Sequence, residues 1–215
     1  MQKFILFLFV TLTLSASGQK GRYHSGLIVT NSGDTLKGSI YWKKNPDAMD
    51  SLFFKKDEQS HEVAYAWSSI RYFGTPGEDD HIAATVKRNL EYIDPYTFNI
   101  NLQDSIVTEA IPLTAVYSGT HLSLYKYYGP SDYFFISDGL NVVQLIQTYR
   151  YLTNFEQRFY VDRVPRYFIN YIYKNQLLEF YDFDADRKMS NLLEATDYKE
   201  YQLKILVSKM DKKLK

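Results

Sequence analysis

The sequence contains no cysteine. Disulfide bonds therefore cannot hold the fold together, and thiolate metal sites and cysteine nucleophiles are excluded. Attachment of a lipid to a cysteine side chain is excluded for the same reason. The chain must be stabilised by its packed core alone.

The sequence also lacks an excess of charge and a long apolar run after its first residues. It has 25 Lys and Arg against 25 Asp and Glu, so its formal net charge is +0. Nucleic-acid binding is dominated by Lys and Arg contacts to phosphate, so this balance argues against a nucleic-acid partner. No later segment approaches the ~20 consecutive apolar residues of a membrane-spanning helix, and we expect none in the mature chain.

Common catalytic and cofactor motifs are missing as well. There is no G-x-S-x-G elbow, no P-loop and no G-x-G-x-x-G, so we predict no cofactor and can name no catalytic residue. The four histidines, His24, His61, His81 and His121, are far apart in the sequence. The sequence does not exclude a glycosidase that uses a pair of carboxylates, because its two acids come together only in the folded chain.

The first residues have the order of a secretory signal peptide. Lys3 supplies a positive charge, an apolar run from Phe4 to Leu14 follows, and the small residues Ser15 to Gly18 complete the pattern. The apolar run is too short to span a bilayer as a helix. We therefore expect residues 1–18 to be removed after Gly18 and the product to be exported to the periplasm or the extracellular space.

The sequence pattern of residues 19–146 predicts a β-rich region. Asn31-Ser32-Gly33-Asp34 separates two β-branched and aromatic segments and predicts a hairpin. A second hairpin is predicted for residues 51–55 and 61–67. Further strands are predicted at residues 82–87, 97–102, 105–110, 121–127 and 133–136, and an apolar stretch follows at residues 142–146. Glycines before and within the first hairpin are suited to a small, strongly bent barrel or roll.

Residues 147–215 read as mainly helical, although residues 147–164 fit helix and strand patterns about equally. Apolar residues recur at three-and-four spacing from Ile169 to Tyr181, and again around Met189 and Leu193. A capping-box-like pair, Asp197 and Glu200, predicts the start of a last helix. Its predicted buried stripe is Leu203, Leu206, Val207, Met210 and Leu214, and its predicted wet side is Lys204, Ser208, Asp211 and Lys212. The expected class is α+β, an antiparallel β-rich part packed with about three C-terminal helices.

Three segments resemble a group of uncharacterised exported proteins from Bacteroidota. They are residues 26–40, which read GLIVTNSGDTLKGSI, residues 118–127 followed by 133–139, and the segment YKNQLL at 173–178 with the two helices predicted after it. The resemblance implies export and a similar order of parts. It implies no activity, because the group has no established function.

Two acidic segments are candidate metal sites. Asp182, Asp184 and Asp186 have the spacing of the first ligands of a calcium-binding loop, but Arg187 replaces the turn glycine and Leu193 the bidentate glutamate. An acidic turn that caps a helix accounts for the same residues. The loop 78–81, Glu-Asp-Asp-His, offers oxygen and imidazole ligands but is equally typical of a solvated surface loop.

Tyrosine is unusually abundant, with 20 residues. A tyrosine ring buries a large apolar surface while its hydroxyl keeps a polar partner, which suits half-buried sheet faces and binding surfaces. Together with the neutral charge, this favours a non-enzymatic envelope or secreted module that binds a protein or glycan through an aromatic β face. The alternative is a hydrolase that acts on an envelope polymer or glycan. A deep pocket with convergent carboxylates would favour the hydrolase, and a shallow aromatic patch would favour binding.

Overall fold

The computed structural model describes residues 23–43, 50–89, 106–129, 132–151 and 167–214. The strands are β1 (His24–Thr30), β2 (Thr35–Tyr41), β3 (Ser51–Lys55), β4 (Val63–Ala66), β5 (Ile70–Gly74), β6 (His81–Asn89), β7 (Ile106–Ser118), β8 (Ser123–Tyr128), β9 (Asp132–Ser137), β10 (Val142–Leu145), β11 (Thr148–Tyr151) and β12 (Tyr167–Asn170). The helices are α1 (Ile172–Leu177), α2 (Arg187–Ala195) and α3 (Glu200–Lys213), and a 3-10 turn spans Trp67–Ser69. None of the helices in these ranges is long and apolar enough to cross a membrane.

Strands β1 to β10 form one antiparallel sheet in the order β10-β9-β8-β7-β6-β5-β1-β2-β3-β4. The predicted α+β class, an antiparallel β-rich part with three helices near the C-terminus, is confirmed. The sheet is not closed, because β10 and β4 are its two ends rather than neighbours. Barrel or roll is therefore only a loose description of a curled, open sheet.

A pair of glycines allows the first strands to bend. Gly26 and Gly38 face each other across β1 and β2. A Cβ atom on Gly38 would lie 2.3 Å from the carbonyl oxygen of Lys55, and one on Gly26 would lie 2.7 Å from that of Gly74. Since no real side chain tolerates such contacts, the missing Cβ atoms are what lets these backbones approach.

The inner side of this first half contains one hydrophobic cluster. Its buried members are Ile28, Ile40, Leu52, Phe54, Trp67, Ile70 and Phe73. Trp67, in the 3-10 turn between β4 and β5, adds a buried ring to the cluster, with its centroid 5.4 Å from that of Phe73. Because side chains alternate along a strand, the residues between these buried ones lie on the opposite side of the sheet.

The second half of the sheet is covered on both sides. Along β9, Phe134 and Ile136 belong to the cluster that the three helices complete, whereas Tyr133 and Phe135 belong to a separate cluster on the other side. All four side chains are 8% exposed or less. A strand buried on both faces needs a continuous apolar run, which the sequence of β9 provides.

The helical prediction near residue 169 was partly wrong. Ile169 lies in β12, opposite Tyr149 of β11, and α1 begins only at Ile172. The backbone of this segment pairs with β11 instead of forming helical hydrogen bonds, so the three-and-four spacing of its apolar residues did not decide its structure. Residues 152–166, which include most of the ambiguous segment, and the predicted strand at 97–102 lie outside the described residues.

The predicted start of α3 was also wrong. The residue before the helix is Lys199, whose side chain caps nothing, and Glu200 instead forms an ion pair with Lys126 at 3.0 Å. The Asp197 backbone N–H donates to the side chain of Gln202. Four residues of the predicted buried stripe are confirmed, since Leu203, Leu206, Val207 and Met210 are all 0% exposed. The fifth, Leu214, follows the helix and is half-buried.

Asp211 was predicted on the wet side of α3 but is 7% exposed. Its carboxylate accepts hydrogen bonds from the backbone N–H groups of Thr120, His121 and Leu122, at 3.3, 2.6 and 2.8 Å. The Tyr117 hydroxyl donates a further bond at 2.8 Å. The Asp211 carboxylate is therefore buried because it accepts hydrogen bonds from the turn between β7 and β8. Helical periodicity could not predict this contact, because the turn lies in a distant part of the sequence.

Candidate binding face

The outward side of β1, β2 and β3 is the candidate functional surface, here called the outer face. It consists of the side chains of Tyr23, Ser25, Leu27, Lys37, Ser39, Tyr41, Phe53 and Lys55. Strand pairing places Ser25 beside Ser39, Leu27 beside Lys37 and Tyr41 beside Phe53. These residues alternate with the buried ones of the first cluster, so the same strands that build the core present this surface.

Three aromatic rings form a row at one end of the outer face. The ring centroids of Tyr23 and Tyr41 are 5.8 Å apart, and those of Tyr41 and Phe53 are 6.3 Å apart. The Lys55 ammonium lies 4.8 Å from the centroid of the Tyr23 ring, and the Tyr23 hydroxyl donates to Glu62. The rings are half-buried, so the row combines apolar surface with hydroxyl and charged groups.

A cleft of about 660 Å³ continues the outer face toward β5 and the loop at residues 75–80. Ser25, Leu27 and Lys37 belong to both the cleft and the outer face. Gly26, Gly38, Gly74 and Gly77 also line the cleft, so much of its wall is backbone. A volume of ~300–1,000 Å³ is typical of small-molecule sites.

The polar groups of the cleft are concentrated near its loop. The Tyr72 hydroxyl donates to Asp80 Oδ1 at 2.5 Å, and this bond, with a smaller contribution from burial, raises the pKa of Tyr72 to about 12. Thr75 also lines the cleft, and its buried hydroxyl oxygen has no hydrogen-bond partner among the described residues. A buried hydroxyl of this kind usually bonds to a water or a ligand.

The structure uses two of the three candidate calcium ligands to shape the chain between α1 and α2. Asp182 Oδ1 accepts from the backbone N–H groups of Asp184 and Ala185, at 3.1 and 3.2 Å. Asp186 is the N-cap residue of α2 and also bonds to Lys213 at 2.5 Å, and this bond chiefly lowers the pKa of Asp186 to about 2. Across the described ranges, no group of three His, Asp or Glu side chains is arranged to hold a metal ion.

The acidic loop and its histidine have different surroundings in the structure. Asp80 lies at the cleft and bonds to Tyr72, whereas His81 is 2% exposed and stacks on Phe73 with the ring centroids 4.9 Å apart. His81 Nδ1 lies 3.1 Å from the Thr114 hydroxyl. His24, His61 and His121 are exposed. The histidines thus do not form a common site within the described residues.

The sequence pattern alone did not single out the residues of the outer face as a binding surface. Part of their signal was present, because Leu27 precedes the buried Ile28, and Ser39 and Tyr41 flank the buried Ile40. Period-two alternation predicts a shared face within a strand. It could not show that Phe53 joins Tyr41, because that depends on the pairing of β2 with β3.

Comparison of the chain with protein-family models, with curated proteins and with solved structures gives no match in any of the three.

Proposed function

We propose that this protein is an exported, non-enzymatic module that binds a glycan of the cell envelope on its outer face and the adjoining cleft. The observation that carries the proposal is the row formed by Tyr23, Tyr41 and Phe53, beside the serine hydroxyls and lysines of the same strands. Sugars present apolar C–H faces and many hydroxyls, so they match stacked rings flanked by donors and acceptors.

The cleft contains charged groups of both signs, which supports a neutral ligand over a strongly charged one. Lys37 stands at one side of the cleft, and Glu78 and Asp80 stand at the other. Such a site offers donors and acceptors without a large net charge, as the hydroxyls of a sugar require.

The hydrolase alternative has less support. A glycosidase needs one carboxylic acid with a raised pKa to protonate the leaving group. Among the described residues that line the cleft, Glu78 and Asp80 carry the carboxylates. The Asp80 carboxylate in the cleft already accepts a hydrogen bond from the Tyr72 hydroxyl.

Binding can be measured by isothermal titration calorimetry with soluble peptidoglycan fragments and with cellotetraose and chitotetraose as probes. We expect at least one probe to bind, and Tyr41→Ala to weaken its binding by about tenfold, the size of a modest aromatic hot spot. Lys37→Ala, an exposed cleft substitution, is expected to weaken the same binding without disturbing the core. Tyr201→Ala is the matched control, because Tyr201 lies on α3 and is 60% exposed.

Three outcomes would contradict the glycan proposal. No measurable binding of any probe is one, and equal loss of binding in the Tyr201→Ala control is another. Cleavage of a bound probe, detected as new reducing ends, would establish the hydrolase alternative instead.

Export is tested separately by intact mass. The protein recovered from the native organism outside the cytoplasm is expected to begin at Gln19, because the small residues up to Gly18 suit signal peptidase cleavage. A recovered chain that still contains residues 1–18 would contradict export by this route, whatever the binding experiments show.

A further inference from the structure

A second surface, distant in sequence from the outer face, lies between α2 and α3 and is here called the helix groove. Its volume is about 640 Å³. Met189, Leu192 and Ala195 of α2 provide apolar surface along it. Lys188, Lys209 and Lys212 line it as well, and all three lysines are exposed. The groove therefore combines an apolar floor with a basic rim.

The rim carries positive charge without a lining carboxylate. No Asp or Glu is among the described residues that line the groove. Lys213 also borders it, but its ammonium is bonded to Asp186 at 2.5 Å. The charge of the remaining lysines faces the groove and solvent, which attracts an anionic partner.

Helix stabilisation explains only part of this charge. Lys212 lies in the last turn of α3, where a positive charge favours the negative end of the helix dipole. Lys188 lies in the first turn of α2, where the dipole disfavours a positive charge, and the acidic group at that end is the N-cap carboxylate of Asp186. The helix dipole thus does not account for the charge of Lys188, which completes the basic rim.

We propose that the helix groove binds an acidic amphipathic helix of a partner protein. Apolar side chains of that helix would pack on Leu192 and Ala195, and its carboxylates would pair with the lysines of the rim. The concave shape favours a peptide over a membrane surface, because membrane contact requires apolar side chains that protrude beyond the charged ones. In this groove the floor is apolar and the rim is charged.

The test uses the full chain and two designed helical peptides with the same leucine face. One peptide carries glutamates on its other face and the second carries lysines at those positions. We expect the acidic peptide to bind, by fluorescence anisotropy, and to shift the amide NMR signals of Leu192, Ala195 and Lys209, while the basic peptide does not bind. The combined change K188E, K209E and K212E is expected to weaken binding by tenfold or more, since it reverses the charge of the whole rim.

The matched control changes three exposed lysines elsewhere, K43E, K56E and K87E, and alters net charge equally. Leu192→Gln keeps every charge of the groove and is expected to weaken binding through the lost apolar contact, with folding checked by circular dichroism. The proposal is overturned if the basic peptide binds equally, if the control triple loses binding as much as the rim triple, or if the acidic peptide does not bind. Binding to phosphatidylglycerol vesicles without binding to the acidic peptide would assign the groove to a membrane surface instead.

Discussion

Replacing Asp211 with alanine is expected to lower the free energy of unfolding by about 3 kcal/mol, because it leaves several buried N–H and O–H donors without an acceptor. The donors are the backbone N–H groups in the turn between β7 and β8 and the Tyr117 hydroxyl. The substitution also detaches the end of α3 from that turn. Urea unfolding at neutral pH measures the loss, and Lys212→Ala, the exposed neighbouring position, is expected to stay within about 0.5 kcal/mol of the parent chain.

The contribution of Asp211 should depend on pH in a defined direction. Burial by itself raises the pKa of the Asp211 carboxyl, but the hydrogen bonds outweigh it and lower the pKa from 3.8 to about 2. A depressed folded-state pKa gives stability that is present above the unfolded value and lost as pH falls toward the folded value. The difference between the parent chain and Asp211→Ala should therefore shrink as pH falls through this window.

A close-packed glycine explains why the turn can reach this carboxylate. A Cβ atom on Gly119 would lie 2.4 Å from the Asp211 carboxyl carbon and 2.5 Å from the carbonyl oxygen of Leu122. The turn thus has room for the carboxylate only because residue 119 has no side chain. A loss of stability in Asp211→Ala no larger than in Lys212→Ala, or a difference that does not vary with pH, would contradict this role.

Replacing Phe135 with alanine is expected to lower the free energy of unfolding by about 4 kcal/mol, because it removes a ring from a packed core and leaves a cavity. Phe135 is 0% exposed and lies in β9 between Tyr125 of β8 and Gln144 of β10. Its neighbours in the cluster include Leu113 and Tyr127. Since strands on both sides hold β9 in place, little collapse of the cavity is expected.

The same urea experiment measures this loss, with Leu140→Ala as the control because Leu140 is 91% exposed. The Leu140 change should have an effect within about 0.5 kcal/mol of zero. A stability of Phe135→Ala close to that of the parent chain would contradict the burial of β9 on both faces, because removing a ring from a packed core must lower the free energy of unfolding.

The hydrophobic pattern of the sequence was sufficient to predict much of the architecture. The hairpin of β1 and β2 follows from the turn residues Asn31 to Asp34, and α2 and the buried stripe of α3 follow from helical spacing. These features depend on local backbone preferences and on the period of apolar residues, which a single chain displays directly. Where a strand competed for the same apolar residues, as at Ile169, the local pattern was insufficient.

The amino-acid sequence by itself determined the class of fold, the absence of thiol chemistry and the positions of most strands and helices. Tertiary structure decided which side chains come together. The Asp211 carboxylate accepts a hydrogen bond from His121, 90 residues away, the Tyr41 ring lies beside that of Phe53, and Lys188 and Lys209 line the same groove. The physical reason is that periodicity assigns a residue to a face of its own strand or helix, whereas its partner depends on which elements pack together. Both candidate binding surfaces consist of such contacts between separate elements, so neither could be read from one segment of the chain.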